Sequence, residues 1–233
     1  MKKIISLLCF ICLCVCLSGC NSKNEDDILT FFQAFHNTLD ADSATIEGTL
    51  SMPEMDDSSI SIHMQLCQTG NLELALTTDL KAGENRQEDF LNFYIKEGKT
   101  YLNSMGTKSQ SILSNLGIEK DQKISVYDPF MNFTDEELTQ LVQSSSHKDN
   151  DYTFELDNQI FSTLLDSYGS VSIDSATLKA TIQEDILTYF SLHIQGVQNI
   201  DSASEDIDFT ISCQIQDFDQ LNHVTFPDDL ESY

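Results

Sequence analysis

Five histidines could supply general bases or metal ligands: His36, His63, His147, His193 and His223. They stand far apart, and none belongs to a His-Glu-x-x-His pair, which holds zinc from one helix face. His63 and His193 lie in alternating stretches among polar neighbours, so solvated strand positions are expected for both. Ser145-Ser146-His147-Lys148 matches Ser-x-x-Lys, in which the lysine stands near a serine nucleophile. Here the match lies in a polar serine run and does not open a helix. Asp40-Ala41-Asp42 and Asp149-Asn150-Asp151 have the start of a calcium loop but lack its glycine and its distal bidentate glutamate. There is no Gly-x-Ser-x-Gly elbow and no glycine-rich phosphate loop. Acidic pairs such as Asp228-Asp229 could do acid–base work, but a chain with 38 acidic residues makes such pairs by chance. The expectation is a protein that is not an enzyme, with no catalytic residues, no metal site and no cofactor.

Cysteine chemistry is concentrated at the N-terminus. Met1-Lys2-Lys3 is followed by Ile4 to Cys16 without a charge, then by Leu17-Ser18-Gly19-Cys20. A basic start, a short apolar run and small residues before a cleavage point describe a secretory signal. As a helix the run covers about 20 Å, too short to span a hydrocarbon core of roughly 30 Å. Leu17-Ser18-Gly19-Cys20 resembles the lipobox of bacterial lipoproteins. That resemblance implies a diacylglycerol on the Cys20 thiol, cleavage just before it and loss of residues 1–19. Two acyl chains then anchor the protein durably on the extracytoplasmic side of the cell membrane. Residues 20–26 read as a lipidated tether and 27–233 as one folded domain. The polar stretch Asn21 to Asp27 reaches at most about 25 Å.

Cys67 and Cys213 are the two cysteines left in the folded part. In Ile60 to Cys67 the even positions are apolar, which puts Cys67 on the polar face. In Ile207 to Cys213 the odd positions are apolar, which puts Cys213 on the apolar face. Neighbouring strands bridge only side chains on one face, so two free thiols are expected.

The formal charge is −26, and losing Lys2 and Lys3 takes it to −28. Such a surface excludes nucleic acid as a partner and excludes docking on anionic lipid by charge alone. At 40% hydrophobic the chain still has the means to bury a core. Lys96, Lys99, Lys108, Lys120 and Lys123 are five of its 12 basic residues. They form either a local positive rim for an anionic headgroup or a set of solvated hairpin lysines.

The elements that position these residues follow from periodicity. Ile28, Leu29, Phe31, Phe32, Phe35 and Leu39 make one helical stripe. The period then switches to two, and short turns at Pro53–Asp57 and Thr69–Asn71 require an antiparallel meander. Phe90–Lys96 and Lys99–Asn103 form a hairpin about Glu97-Gly98, whose first strand is apolar on both faces and so is expected to be covered on both. Ser111–Leu116 predicts a short helix ended by Gly117, and Lys123–Tyr127 a short strand. Thr134 and Glu137 spell a capping box, with Phe133 and Leu138 as its staple, for a helix reaching about Ser144. Ser144–Asn150 reads as a loop. Tyr152–Leu156 is a strand, and Ile160–Tyr168 a helix ended by Gly169. Ala176–Ile182, Ile186–Ile194 and 207–215 form a second meander about a Glu184-Asp185 turn, and Val224–Phe226 a closing strand. The total is roughly eleven strands and four helices, an α+β chain made mainly of antiparallel sheet.

This layout, with the hairpin Phe93–Leu102 and the ending Val224-Thr225-Phe226-Pro227, resembles the LolA/LolB/LppX-type lipoprotein domain. The resemblance implies an incomplete β-barrel curled around a hydrophobic cavity, with helices as a lid and a lipid or other hydrophobic ligand inside. Arg86, the one arginine, sits in a turn region and has no match to the carrier's functional arginine on an early strand. Two functions are open. One is a membrane-anchored module that binds a hydrophobic ligand. The other is an acidic interaction module, its core filled by the phenylalanine stripe, that binds a cationic protein or peptide.

Overall fold

Three phenylalanines at helical spacing need an apolar partner, and an antiparallel sheet supplies it. The computed structural model describes residues 23–53, 57–124, 128–165, 170–200 and 203–233. Residues 1–22, with Cys20 and the expected signal, and residues 125–127 of the expected Lys123–Tyr127 strand lie outside the described residues.

Helix α1 spans Glu25–Leu39. The Asn24 side chain accepts from the Asp26 amide, and Glu25, Asp26 and Asp27 set negative charge at the positive end of the helix dipole. Residues 25–27 are therefore helical, where the tether was expected to continue. Asp27 is buried, accepting from Asn24 Nδ2 at 2.9 Å and meeting His147 Nδ1 at 2.9 Å.

The first six strands are β1 Ser43–Met52, β2 Ser58–Cys67, β3 Glu73–Ala82, β4 Asn85–Lys96, β5 Lys99–Ser104 and β6 Thr107–Ile112. After a 3₁₀ turn at Leu113–Leu116 and helix α2 at Asp135–Gln140 come β7 Val142–Lys148 and β8 Asp151–Leu156. Helix α3 spans Asn158–Leu165 and leads to β9 Ser170–Gln183, β10 Ile186–Ile200 and β11 Ala203–Gln216. These strands make one antiparallel sheet in the order β6-β5-β4-β3-β2-β1-β11-β10-β9-β8-β7. The sheet does not close, since β6 and β7 stand at its opposite ends. It has two arms, each a meander of short turns, joined where β1 pairs with β11 from Thr45↔Gln216 to Ser51↔Thr210.

Two-residue turns use positive φ as expected: Glu97 and Gly98 lie at 51° and 75°, and Glu184 and Asp185 at 51° and 62°. The expected total of roughly eleven strands is right, but three assignments are corrected. Residues 142–148, read as the end of a helix and a loop, are edge strand β7, paired with β8 from Val142↔Leu156 to Lys148↔Asp151. Its serine run hides the strand period because from Gln143 to Lys148 both faces carry polar side chains. Helix α2 accordingly stops at Gln140. Residues 107–112 form β6, exposed throughout, so no buried face marks it in the sequence. Val224–Phe226 is not a strand. Its Val224 and Thr225 amides donate to the Glu73 and Gln65 side chains at 2.9 and 3.0 Å, not to a backbone ladder.

Register divides the sheet into two faces. Ala44, Leu66, Leu74 and Ile95 are successive partners on the inner face. Over one arm that face packs against α1, with Ile28, Phe31, Phe154, Ala176, Ala180 and Ile194 in the core. Over the other arm Leu66, Leu72, Ile95 and Leu113 are covered by Ile118 and Ile124. The outer face of that same arm buries Cys67, Ala75, Tyr94 and Tyr101 under Val224, Leu230, Phe226 and Tyr233. Strand β4 is thus covered on both sides, as its two apolar faces require. Cys67 and Cys213 are free and face opposite ways, although Cys67 is buried by the C-terminal segment and does not face solvent.

Candidate ligand-binding site

Helix α1 lays Phe31 onto the sheet, 5.3 Å from Phe154 between ring centroids, and Phe31 is 7% exposed. The stripe therefore fills much of the concave face as ordinary core. What remains is a cavity of about 150 Å³ lined by Phe31, Phe35, Leu156, Phe161, Leu178 and Leu192 among others, every one apolar. Among the described residues no polar side chain reaches it, so water finds no partner there.

Phe130, together with Phe32, lines both this cavity and a neighbouring groove. Its ring lies 5.0 Å from Phe32, 5.8 Å from Phe35 and 5.8 Å from Phe133. A local turn holds it there: Asp128 Oδ1 accepts from the Phe130 amide at 2.8 Å, and the Phe130 carbonyl accepts from the Phe133 amide at 2.9 Å. The groove, of about 650 Å³, lies between α1 and residues 128–138. Leu29, Phe32, Phe133 and Leu138 give it an apolar floor, while Asp128, Asp135 and Asp185 stand around it. Among the described residues His36 is the one basic side chain that lines it, and its Nδ1 meets Asp128 Oδ2 at 3.1 Å. Asp128 itself is 8% exposed. The capping box of α2 fixes the far wall: Glu137 Oε2 accepts from the Thr134 amide at 2.8 Å, and Thr134 Oγ1 accepts from the Glu137 amide at 3.3 Å. Those bonds from Thr134 hold the Glu137 carboxyl below its usual range.

The residues singled out by type go elsewhere. Ser145 is spent on the helix cap, its Oγ accepting from the Asn24 amide at 2.8 Å. Lys148 follows three positions on along β7, so the two side chains leave opposite faces and cannot act together. Asp149-Asn150 is the β7–β8 turn, and Asp151 accepts from Thr181 at 2.7 Å. Asp40 caps the end of α1, and Asp42 pairs with Lys123. Each histidine meets a carboxylate. His63 and His193 keep partly exposed side chains, in keeping with the solvated strand positions expected, and also form cross-strand contacts with Glu47 at 2.6 Å and Asp208 at 3.0 Å. His223 lies 3.5 Å from Glu73. Among the described residues no cluster of three or more His, Cys, Asp or Glu is arranged to hold a metal.

The lysine-rich segment does not build a rim for an anionic headgroup. Lys108 bonds Asp229 at 2.6 Å and lies 4.3 Å over the Tyr233 ring, Lys99 is 3.9 Å from Glu231, and Lys96 lies 5.3 Å over Phe226. With Lys123 on Asp42, four of the five are taken by acids or rings of their own chain. Lys99 and Lys108 meet acidic residues of the C-terminal segment, a pairing that no local pattern announces.

Asp128, Phe130 and the His36–Asp128 contact were missed in the sequence. The partners are 92 positions apart, and the only local signal is the turn-forming Asp128-Pro129.

LprF from Mycobacterium bovis has a crystal structure similar to this chain at a TM-score of 0.44 and 11% identity, covering 90% of this chain and 99% of that one. No protein-family model matches the chain, and no curated protein does. Among the described residues no helix is long and apolar enough to cross a membrane.

Proposed function

We propose that this is a non-enzymatic lipoprotein, anchored through Cys20 on the extracytoplasmic side of the cell membrane, that holds a hydrophobic ligand beneath helix α1. Residues 1–19 are its signal peptide, and the chain from Cys20 to the start of α1 is its tether. The observation that carries the binding role is the wholly apolar cavity of about 150 Å³, which shares the Phe32 and Phe130 rings with a groove of about 650 Å³. Cavities of roughly 150 Å³ accept a benzene-sized group, and small-molecule sites run to about 300–1,000 Å³. A ring or chain end therefore enters the cavity by displacing Phe130, and the rest of the ligand lies in the groove.

The test uses the full chain recovered in phosphatidylcholine nanodiscs. Mass spectrometry of the N-terminal peptide is expected to show a diacylglycerol-modified Cys20, and an unmodified cysteine there overturns the anchoring. The uncharged probe N-phenylnaphthylamine is expected to bind one per chain above the empty-nanodisc background. No uptake above background overturns the binding role and favours the filled-core module, whose mark is salt-sensitive capture of a basic protein.

A further inference from the structure

We propose that the ligand carries a cationic head, so that the site takes a single-tailed amphiphile with an ammonium or similar group and rejects anionic ones. This rests on the binding role above and adds the chemistry of the ligand's polar end. The cavity interior offers no polar atom, so an apolar tail is the part it can hold. The head then lies in the groove, the wide opening that Phe130 borders among the described residues. There the charges are Asp128, Asp135 and Asp185, against His36 alone. His36 is already engaged by Asp128 Oδ2 at 3.1 Å and by Asp40 at 3.7 Å, so it is not free to receive an anion.

Asp135 and Asp185 are the exposed carboxylates of the groove. Asp185 sits in the β9–β10 turn, its backbone carbonyl tied to Asn37 Nδ2 at 2.9 Å, so the turn is fixed against α1 while its carboxylate is left to the groove. Asp135 opens α2, where the capping box fixes the backbone. Neither carboxylate has a lysine or arginine of the groove beside it. The whole-chain charge of −26 adds a field of the same sign. An anionic headgroup thus meets repulsion on approach and finds no lysine or arginine in the groove to receive it. An ammonium in the groove is attracted by two carboxylates that no lysine or arginine of the groove neutralises, for which we expect about a tenfold preference over an uncharged head.

The experiment titrates octyltrimethylammonium, octyl sulfate and octanol into the full chain in phosphatidylcholine nanodiscs, with empty nanodiscs subtracted. The ammonium is expected to bind about tenfold tighter than octanol and the sulfate weaker than either. In the Asp135→Asn/Asp185→Asn double variant the ammonium advantage should fall below about threefold while octanol binding is unchanged, and salt of about 0.5 M should do the same. Equal or tighter binding of the sulfate, or an ammonium advantage that survives the double variant, overturns the cationic assignment while the hydrophobic binding role stands. If octanol itself does not bind, both fail. Cross-linking of the groove to a second copy of the chain, with no octyl probe taken up, likewise overturns both.

Discussion

Replacing Phe130 by alanine separates the ring's structural part from its part in ligand access. The ring makes three aromatic contacts, with Phe32, Phe35 and Phe133. It is only half-buried, so its removal should cost well under the ~3–5 kcal/mol of a fully buried phenylalanine, about 2 kcal/mol. For a chain of this size that lowers Tm by about 4–8 °C. The same change joins the cavity and groove into a space of about 800 Å³, within the usual range for a ligand site. In the native protein a ligand must break the ring's edge contacts with Phe32 and Phe35, together about 1.4 kcal/mol. Without the ring that cost disappears, so affinity for N-phenylnaphthylamine should rise about tenfold. Thermal melts and probe titration on one preparation read both effects. A lowered Tm with unchanged or weaker affinity would refute the assignment of Phe130 as the barrier.

Gly196→Ala should destabilise the β9–β10 pair by about 2–3 kcal/mol, because a Cβ there meets the Ser172 carbonyl oxygen at 2.3 Å at a register shift; an unchanged thermal melt would disprove this. Cys67 is 2% exposed, and burial pushes the Cys213 thiol up, so both should react slowly with a disulfide reagent until denaturant is added. Rapid labelling of either in the native protein contradicts the structure. The Lys108 bond holds the Asp229 carboxyl below its ordinary 3.8, so its contribution is complete above that value and is lost as pH falls through the lower folded one. Acid-induced release of the C-terminal segment, followed by limited proteolysis, should therefore be blunted in Asp229→Asn; identical acid profiles would remove the clasp.

The fold was legible wherever periodicity had a buried face to report. The α1 stripe, the Glu97-Gly98 hairpin and the two-faced strand Phe90–Lys96 each carry their own environment in their spacing. Strand parity also separated the two thiols, because alternation survives even where the covering segment is unknown. Strands β6 and β7 were hidden for one reason: Thr107–Ile112 is fully exposed and the β7 serines are polar, so neither shows an apolar period. Val224–Phe226 misled in the opposite way, with strand-like residues whose amides find side chains and not a neighbouring strand. The candidate site was least visible. It is built by Phe32, Asp128, Phe130 and Asp185, residues from three separate stretches, and only tertiary packing brings them together.

The pairing of β1 with β11 has a kinetic consequence. Asp42 and Asp219, hydrogen-bonded at 2.7 Å beside that pairing, are 177 positions apart, whereas most other strand pairs are sequence neighbours. Each half can zip up locally and quickly, but the two merge only after nearly the whole polypeptide has emerged, and closing so long a loop is entropically slow. Until then β1 presents a bare row of amides and carbonyls, the template on which a second nascent molecule could donate its own last strand.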